Sequence, residues 1–121
     1  MKKIFFSLAP VFLLSIYFYN PSNVIQKKGT IIETKKEPLH GRIFWILKIR
    51  TTYGKIFKVE LAPPDFMKDF SPKKGDFAEV EGSLASSGNE NFMIARVITW
   101  KGKKWILRTK EGFPLWRKDL N

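Results

Sequence analysis

A chain of 121 residues with 44% hydrophobic, 15% aromatic and 27% charged residues has the composition of one folded domain and excludes wholesale disorder. The absence of cysteine excludes a disulfide framework, thiolate metal centres, c-type haem attachment, a thiol nucleophile and a lipidated N-terminal cysteine. Twenty-two lysines and arginines against 11 acidic residues give a net charge of +11, which favours anionic partners.

The chain opens with Lys2 and Lys3, then an apolar run from Ile4 to Tyr19 broken only by Ser7, Pro10 and Ser15. A short positive region ahead of such a run is the pattern of a secretory signal or signal anchor. The lysines are expected to stay on the cytoplasmic side, sending the rest of the chain across the membrane. Residues 1–23 are therefore expected to form an N-terminal hydrophobic helix, and 24–121 the folded domain. No small-x-small cleavage site follows the run, and Tyr17, Phe18, Tyr19, Asn20 and Pro21 are bulky or awkward for a peptidase. Retention in the inner membrane with a periplasmic domain is favoured, and secretion follows if the segment is cleaved.

From Val24 the pattern is that of strands. The first is predicted over Val24 to Lys36, with Gly29 permitting a sharp bend. A turn over Glu37 to Gly41 leads into the strongest segment, Arg42 to Thr52. There Ile43, Trp45, Leu47 and Ile49 share one face, opposite Arg42, Phe44, Ile46, Lys48 and Arg50. Tyr53-Gly54 signals a hairpin. Lys55 to Leu61 follows, with Phe57, Val59 and Leu61 facing inward and Ile56, Lys58 and Glu60 outward. Pro63 and Pro64 end that strand and open a helical turn, Asp65 to Phe70, expected to plug one end of a barrel. Phe77 to Gly82 alternates Ala78 and Val80 against Glu79 and Glu81. Ser83 to Asn91, rich in serine, glycine and asparagine, reads as a mobile loop. Strands Phe92 to Trp100 and Trp105 to Thr109 follow, and the closing tail tucks Trp116 against the barrel. Five or six strands with one short helix after the third predict an all-β, OB-like Greek-key barrel.

The phrases PLHGRIFWILKI, VELAPPDF, KKGDFAEVEGS, MIARVITW and LRTKEGFPLW, in that order, resemble a family of exported bacterial OB-like domains that includes the MamS/MamX domain of magnetosome-associated proteins. Leu61-Ala62-Pro63-Pro64 and the stretch from Leu107 to Trp116 are its more specific pieces. The resemblance spans roughly Val24 to Trp116. It implies a membrane-associated periplasmic module, in some organisms linked to magnetite crystal maturation. Haem-bearing relatives carry CxxCH motifs; this chain has no cysteine, so that redox role does not transfer.

The chemical signals favour binding over catalysis. A basic OB barrel with exposed aromatics suits an anionic ligand, with Arg42, Phe44, Lys48, Arg50, Lys58, Arg96 and Trp100 as the candidate face. Single-stranded nucleic acid is the alternative to a protein or other anionic partner, and export lowers it. His40 beside Pro38 and Gly41 is read as a turn residue without a nucleophile to serve. Asp65 and Asp69, or Glu79 and Glu81, are the carboxylates to test for weak metal binding, though no histidine joins them. No enzymatic activity and no cofactor are expected.

Overall fold

Strand alternation and turn glycines build the molecule from its first long strand outward. The computed structural model describes residues 19–39, 41–87 and 90–117. Six strands follow in chain order: β1 (Val24–Leu39), β2 (Arg42–Thr51), β3 (Ile56–Glu60), β4 (Phe77–Ser87), β5 (Glu90–Trp100) and β6 (Lys103–Ile106). A single 3-10 turn over Pro64–Phe66 stands between β3 and β4. The hydrogen-bonded order is β3-β2-β1-β4-β5-β6, and a parallel pairing of β3 with β5 closes the first five strands into a barrel. That closure, with the short helical turn after β3, is the OB-type Greek-key barrel. β6 extends the sheet beyond it.

β1 makes the closure possible because it pairs with two partners at once. Its N-terminal half runs against β4 and its C-terminal half against β2, and both pairings meet at Gly29 and Thr30. A side chain at Gly29 would drive into the backbone of Arg50 and Thr51, so only glycine permits this crossing. A register shift between Ile31 and Glu33 adds the local twist. The barrel interior is filled by Ile31, Leu47, Val59, Val80, Met93 and Ile98, all essentially inaccessible to solvent.

One end is plugged as expected, although the plug is less helical. The predicted turn over Asp65 to Phe70 shrinks to Pro64–Phe66, which ends at Met67, and Asp69 beyond it adopts a left-handed φ of 68°. Phe70 nevertheless reaches the core. Its ring packs edge-on against Trp45, Trp100 and Trp105 at centroid distances of 5.5, 5.4 and 5.1 Å. Two of the three indoles around it are satisfied: Trp100 Nε1 donates to Asp76 Oδ2 at 2.9 Å and Trp105 Nε1 to the Lys68 carbonyl at 3.1 Å, while the buried Trp45 Nε1 has no partner among the described residues.

Other expectations change. The loop expected over Ser83 to Asn91 is instead the long β4–β5 hairpin, paired as far as Ser86 with Asn91 and Ser87 with Glu90. Its polar composition misled because the ladder depends on backbone groups, which serine and asparagine supply as well as valine. β1 also runs three residues beyond Lys36, through Glu37, Pro38 and Leu39. The two faces of β2 are not simply inside and outside. Ile43, assigned inward, is 47% exposed, while Phe44 and Ile46 on the opposite face are buried. The cause is a second apolar layer on the outside of the barrel. The segment 107–117 covers the outer faces of β2, β3 and β5: Leu107 N donates to the Arg96 carbonyl, and Trp116 packs edge-on against Phe44 at 5.6 Å. The expected N-terminal hydrophobic helix lies outside the described residues. Among those described, no helix is long and apolar enough to cross a membrane.

Candidate ligand-binding face

The strand register aligns one row of side chains across four strands. Phe77 of β4 pairs with Thr30 of β1, Thr30 with Arg50 of β2, and Arg50 with Ile56 of β3. Paired residues share a face, so these four stand side by side on the outside of the barrel. Phe77 is 60% exposed and Ile56 44%, while Tyr53 at the β2–β3 hairpin tip is 97% exposed. The next row along the same face pairs Lys48 with Lys58, two like charges directly opposite each other.

Charge partners separate these cations. Lys35 Nζ lies 3.3 Å from Glu33 Oε2 and Lys48 Nζ 3.4 Å from Glu33 Oε1, and the two lysines, Lys35 first, hold the Glu33 carboxyl below the usual carboxylate range. Arg50 and Lys58 form no ion pair among the described residues. A shallow hollow lined by Glu33, Lys35, Glu37, Ile46, Lys48 and Lys58 continues the face toward the middle of the barrel. The whole is an amphipathic surface: two unneutralised cations, two exposed rings and an isoleucine.

The structure thus brings together three of the seven residues expected on a binding face: Lys48, Arg50 and Lys58. Arg42 sits at the far end of β2, its Nη2 3.2 Å from Asp65 Oδ1. Arg96 is committed to Glu81 at 2.9 Å. Phe44 and Trp100 are corrections: Phe44 is buried beneath Trp116, and Trp100 is buried in the plug with its indole N–H given to Asp76. Strand alternation could not show either: Trp116, which covers Phe44, is distant in sequence, and a register shift that leaves Arg96 unpaired turns Trp100 to the inward face beside Ala78. Phe77, Tyr53 and Ile56 were not among the expected face residues, because only the register of four strands brings Phe77 and Ile56 into line with Arg50.

The four candidate metal-binding carboxylates are all engaged elsewhere. Asp65 pairs with Arg42, Asp69 with Lys103 at 3.5 Å, Glu81 with Arg96, and Glu79 accepts a hydrogen bond from Gln26 Nε2. Among the described residues no three histidine, aspartate or glutamate side chains converge as a metal site. His40 lies outside the described residues.

Glu60 is the acid that periodicity placed correctly and burial did not predict. It faces outward from β3, between Ile46 of β2 and Ile94 of β5, yet is fully buried under Arg108. Its Oε2 is 3.5 Å from Arg108 Nη2, and neither carboxylate oxygen has a hydrogen-bond partner among the described residues. Burial pushes the Glu60 carboxyl up to about 7, opposed by the attraction of Arg108, and burial in turn lowers Arg108. Arg108 is also tied by Nη1 to the Gly112 carbonyl at 2.8 Å and lies over the Trp116 ring at 5.0 Å. This pair fastens the C-terminal segment to the barrel.

No family model matches the chain, and no curated protein matches it. Among solved structures, the dimeric N-terminal domain of PriB from Thermoanaerobacter tencongensis superposes with a TM-score of 0.49 at 18% identity. The overlap covers 68% of this chain and 99% of that one. The assignment to the OB-type barrel stands on the strand order and closure.

Proposed function

We propose that the protein is a non-enzymatic OB-type binding module, held on the outer side of a membrane by its N-terminal segment, which takes an anionic ligand on the outer face of β2 and β3. The observation that carries this reading is the row from Phe77 through Thr30 and Arg50 to Ile56, with Arg50 and Lys58 lacking carboxylate partners. Cations left without an internal counter-charge on a flat, partly apolar strand face gain most from an external anion. The Lys2-Lys3 pair and the apolar run from Ile4 support the membrane address. The resemblance to the MamS/MamX domains supports the same address and an accessory role without haem chemistry, since the chain has no cysteine.

Fluorescence titration with dextran sulfate tests this reading. Binding that weakens steeply with added salt and is lost in an Arg50→Ala/Lys58→Ala variant supports it; no binding at low ionic strength overturns it.

A second reading, single-stranded nucleic acid, is favoured by one further observation: the exposed rings of Phe77 and Tyr53 lie on the same part of the barrel as Arg50. Rings beside unpaired cations suit base stacking with phosphate neutralisation. An oligothymidylate that outcompetes dextran sulfate of equal charge, with the advantage removed by Phe77→Ala, would select this reading over the first.

A further inference from the structure

The apolar run from Ile4 ends at Tyr19, where the described structure begins, and Tyr19 is anchored to the barrel. A side chain at Gly112 would collide with the Tyr19 ring, so the two segments are in direct contact. Arg108 sits 5.8 Å from the centre of the same ring. The next residues are pinned to β4: Asn20 N donates to Ser83 Oγ at 2.9 Å, Leu84 N to the Asn23 carbonyl at 3.0 Å, and Asn23 Nδ2 to the Leu84 carbonyl at 3.0 Å. A segment fixed this tightly sets the orientation of whatever follows it.

The surface around this exit carries exposed apolar side chains and one lysine without an ion-pair partner among the described residues. Phe113, adjacent to Gly112, is 59% exposed, and Val24 is 38% exposed. Tyr19, Pro21, Val24 and Lys110 line one open hollow together with the Glu81–Arg96 ion pair. Lys110 forms no ion pair among the described residues, although Glu111 follows it in the chain. A protruding phenylalanine and a lysine without a partner are the elements that seat a protein at a bilayer surface, the ring among acyl chains and the ammonium among anionic headgroups.

We propose that the surface formed by Tyr19, Val24, Lys110 and Phe113 rests on the anionic lipid bilayer from which the N-terminal segment emerges, holding the barrel in one fixed orientation. This rests on the membrane tether proposed above. In that orientation the Arg50 face points away from the membrane. Ser83, bonded to Asn20, and Phe77, in the Arg50 row, lie six residues apart on β4. That separation is roughly 20 Å of strand. The lipid contact and the ligand face therefore occupy opposite ends of one strand.

The chain has no cysteine, so single-cysteine labelling is free of background. The full chain carrying an environment-sensitive fluorophore at F113C or at Y53C is reconstituted with vesicles containing phosphatidylglycerol. The expected result is co-flotation with the vesicles in both cases and a blue-shifted emission at F113C only. Lys110→Glu should reduce that shift without affecting flotation. Flotation with identical emission at the two positions overturns the seated surface while leaving the tether intact. A chain that does not float overturns the tether and this proposal together.

Discussion

Glu60 and Arg108 form a buried acid–base pair on the outside of the barrel rather than within its core, Oε2 to Nη2 at 3.5 Å. The contact joins β3, the strand that closes the barrel, to the segment that covers it. Because burial raises the Glu60 carboxyl to about 7, the folded state holds a proton that the unfolded chain has already released above the ordinary glutamate range. Folding stability therefore falls as pH rises between about 4.5 and about 7, by on the order of 3 kcal/mol, and levels off above. Urea unfolding across that range should show the decline in the natural protein and not in Glu60→Gln. Equal slopes in the two proteins would mean that Glu60 ionises freely in the fold.

Removing the partner should expose the same asymmetry. Arg108→Met leaves a buried carboxylate unpaired at pH 8, a loss of about 3–5 kcal/mol. At pH 5 Glu60 is protonated and the loss should be much smaller, limited to the Gly112 hydrogen bond and the packing on Trp116. The difference in melting temperature at the two pH values measures it.

Gly82 is as constrained as Gly29. A Cβ there would meet the Ile94 carbonyl and Ala95 across the β4–β5 register shift between Glu81 and Gly82. Gly82→Ala must push two backbones apart and should destabilise by about 3 kcal/mol. Gly54→Ala acts differently, because nothing lies near its Cβ and only its positive φ opposes the change. A thermal melt of both variants should rank Gly82→Ala as the more damaging.

These residues show where the sequence was legible. Ala78 and Val80 alternate inward against Glu79 and Glu81 outward, and the structure keeps that pattern, because period-two alternation reports one strand's own geometry. Trp116 was expected against the barrel and packs on Phe44 and Phe66. What alternation could not report is a second layer. Phe44 and Glu60 both point outward from their strands, and both are buried because the C-terminal segment, distant in sequence, lies over them. The expected binding face lost Phe44 for the same reason, and lost Trp100 because the register shift at Arg96 turns the end of β5 inward; it kept Lys48, Arg50 and Lys58, which no distant segment covers. Phe77 and Ile56 joined that face only once the register of four strands was known, and register depends on pairing rather than on any one strand.

The cationic face makes separable electrostatic and apolar predictions. Each cation that neutralises a ligand charge contributes about one unit to the slope of log affinity against log salt, so Arg50→Ala and Lys58→Ala should each lower that slope by about one. Phe77→Ala should leave the slope unchanged. If a base stacks on the ring, the variant should weaken oligothymidylate binding by about 1–3 kcal/mol. Anisotropy titrations at several salt concentrations read both quantities. A Phe77→Ala variant that changed the slope would mean that the ring acts by positioning Arg50 rather than by contacting ligand.

Trp116 joins the two parts of the outer layer, with edge-on contacts to Phe44 and Phe66 and the Arg108 guanidinium against its face. Trp116→Ala should destabilise the fold by about 3 kcal/mol, the low end for an indole because the side chain is only half-buried. A double-mutant cycle with Phe44→Leu should return a coupling of about 0.5–1.5 kcal/mol, the contribution of the ring pair beyond its buried area. The same variant carries a second consequence. With the indole gone, water reaches Arg108 and Glu60, the burial that raises the Glu60 carboxyl is relieved, and its ionisation moves back toward the ordinary glutamate range. The decline in stability between pH 4.5 and 7 should therefore flatten in Trp116→Ala as it does in Glu60→Gln. If the decline keeps its full size, Glu60 is shielded by β2 and β5 alone, and the C-terminal segment serves as a fastening without controlling the acid beneath it.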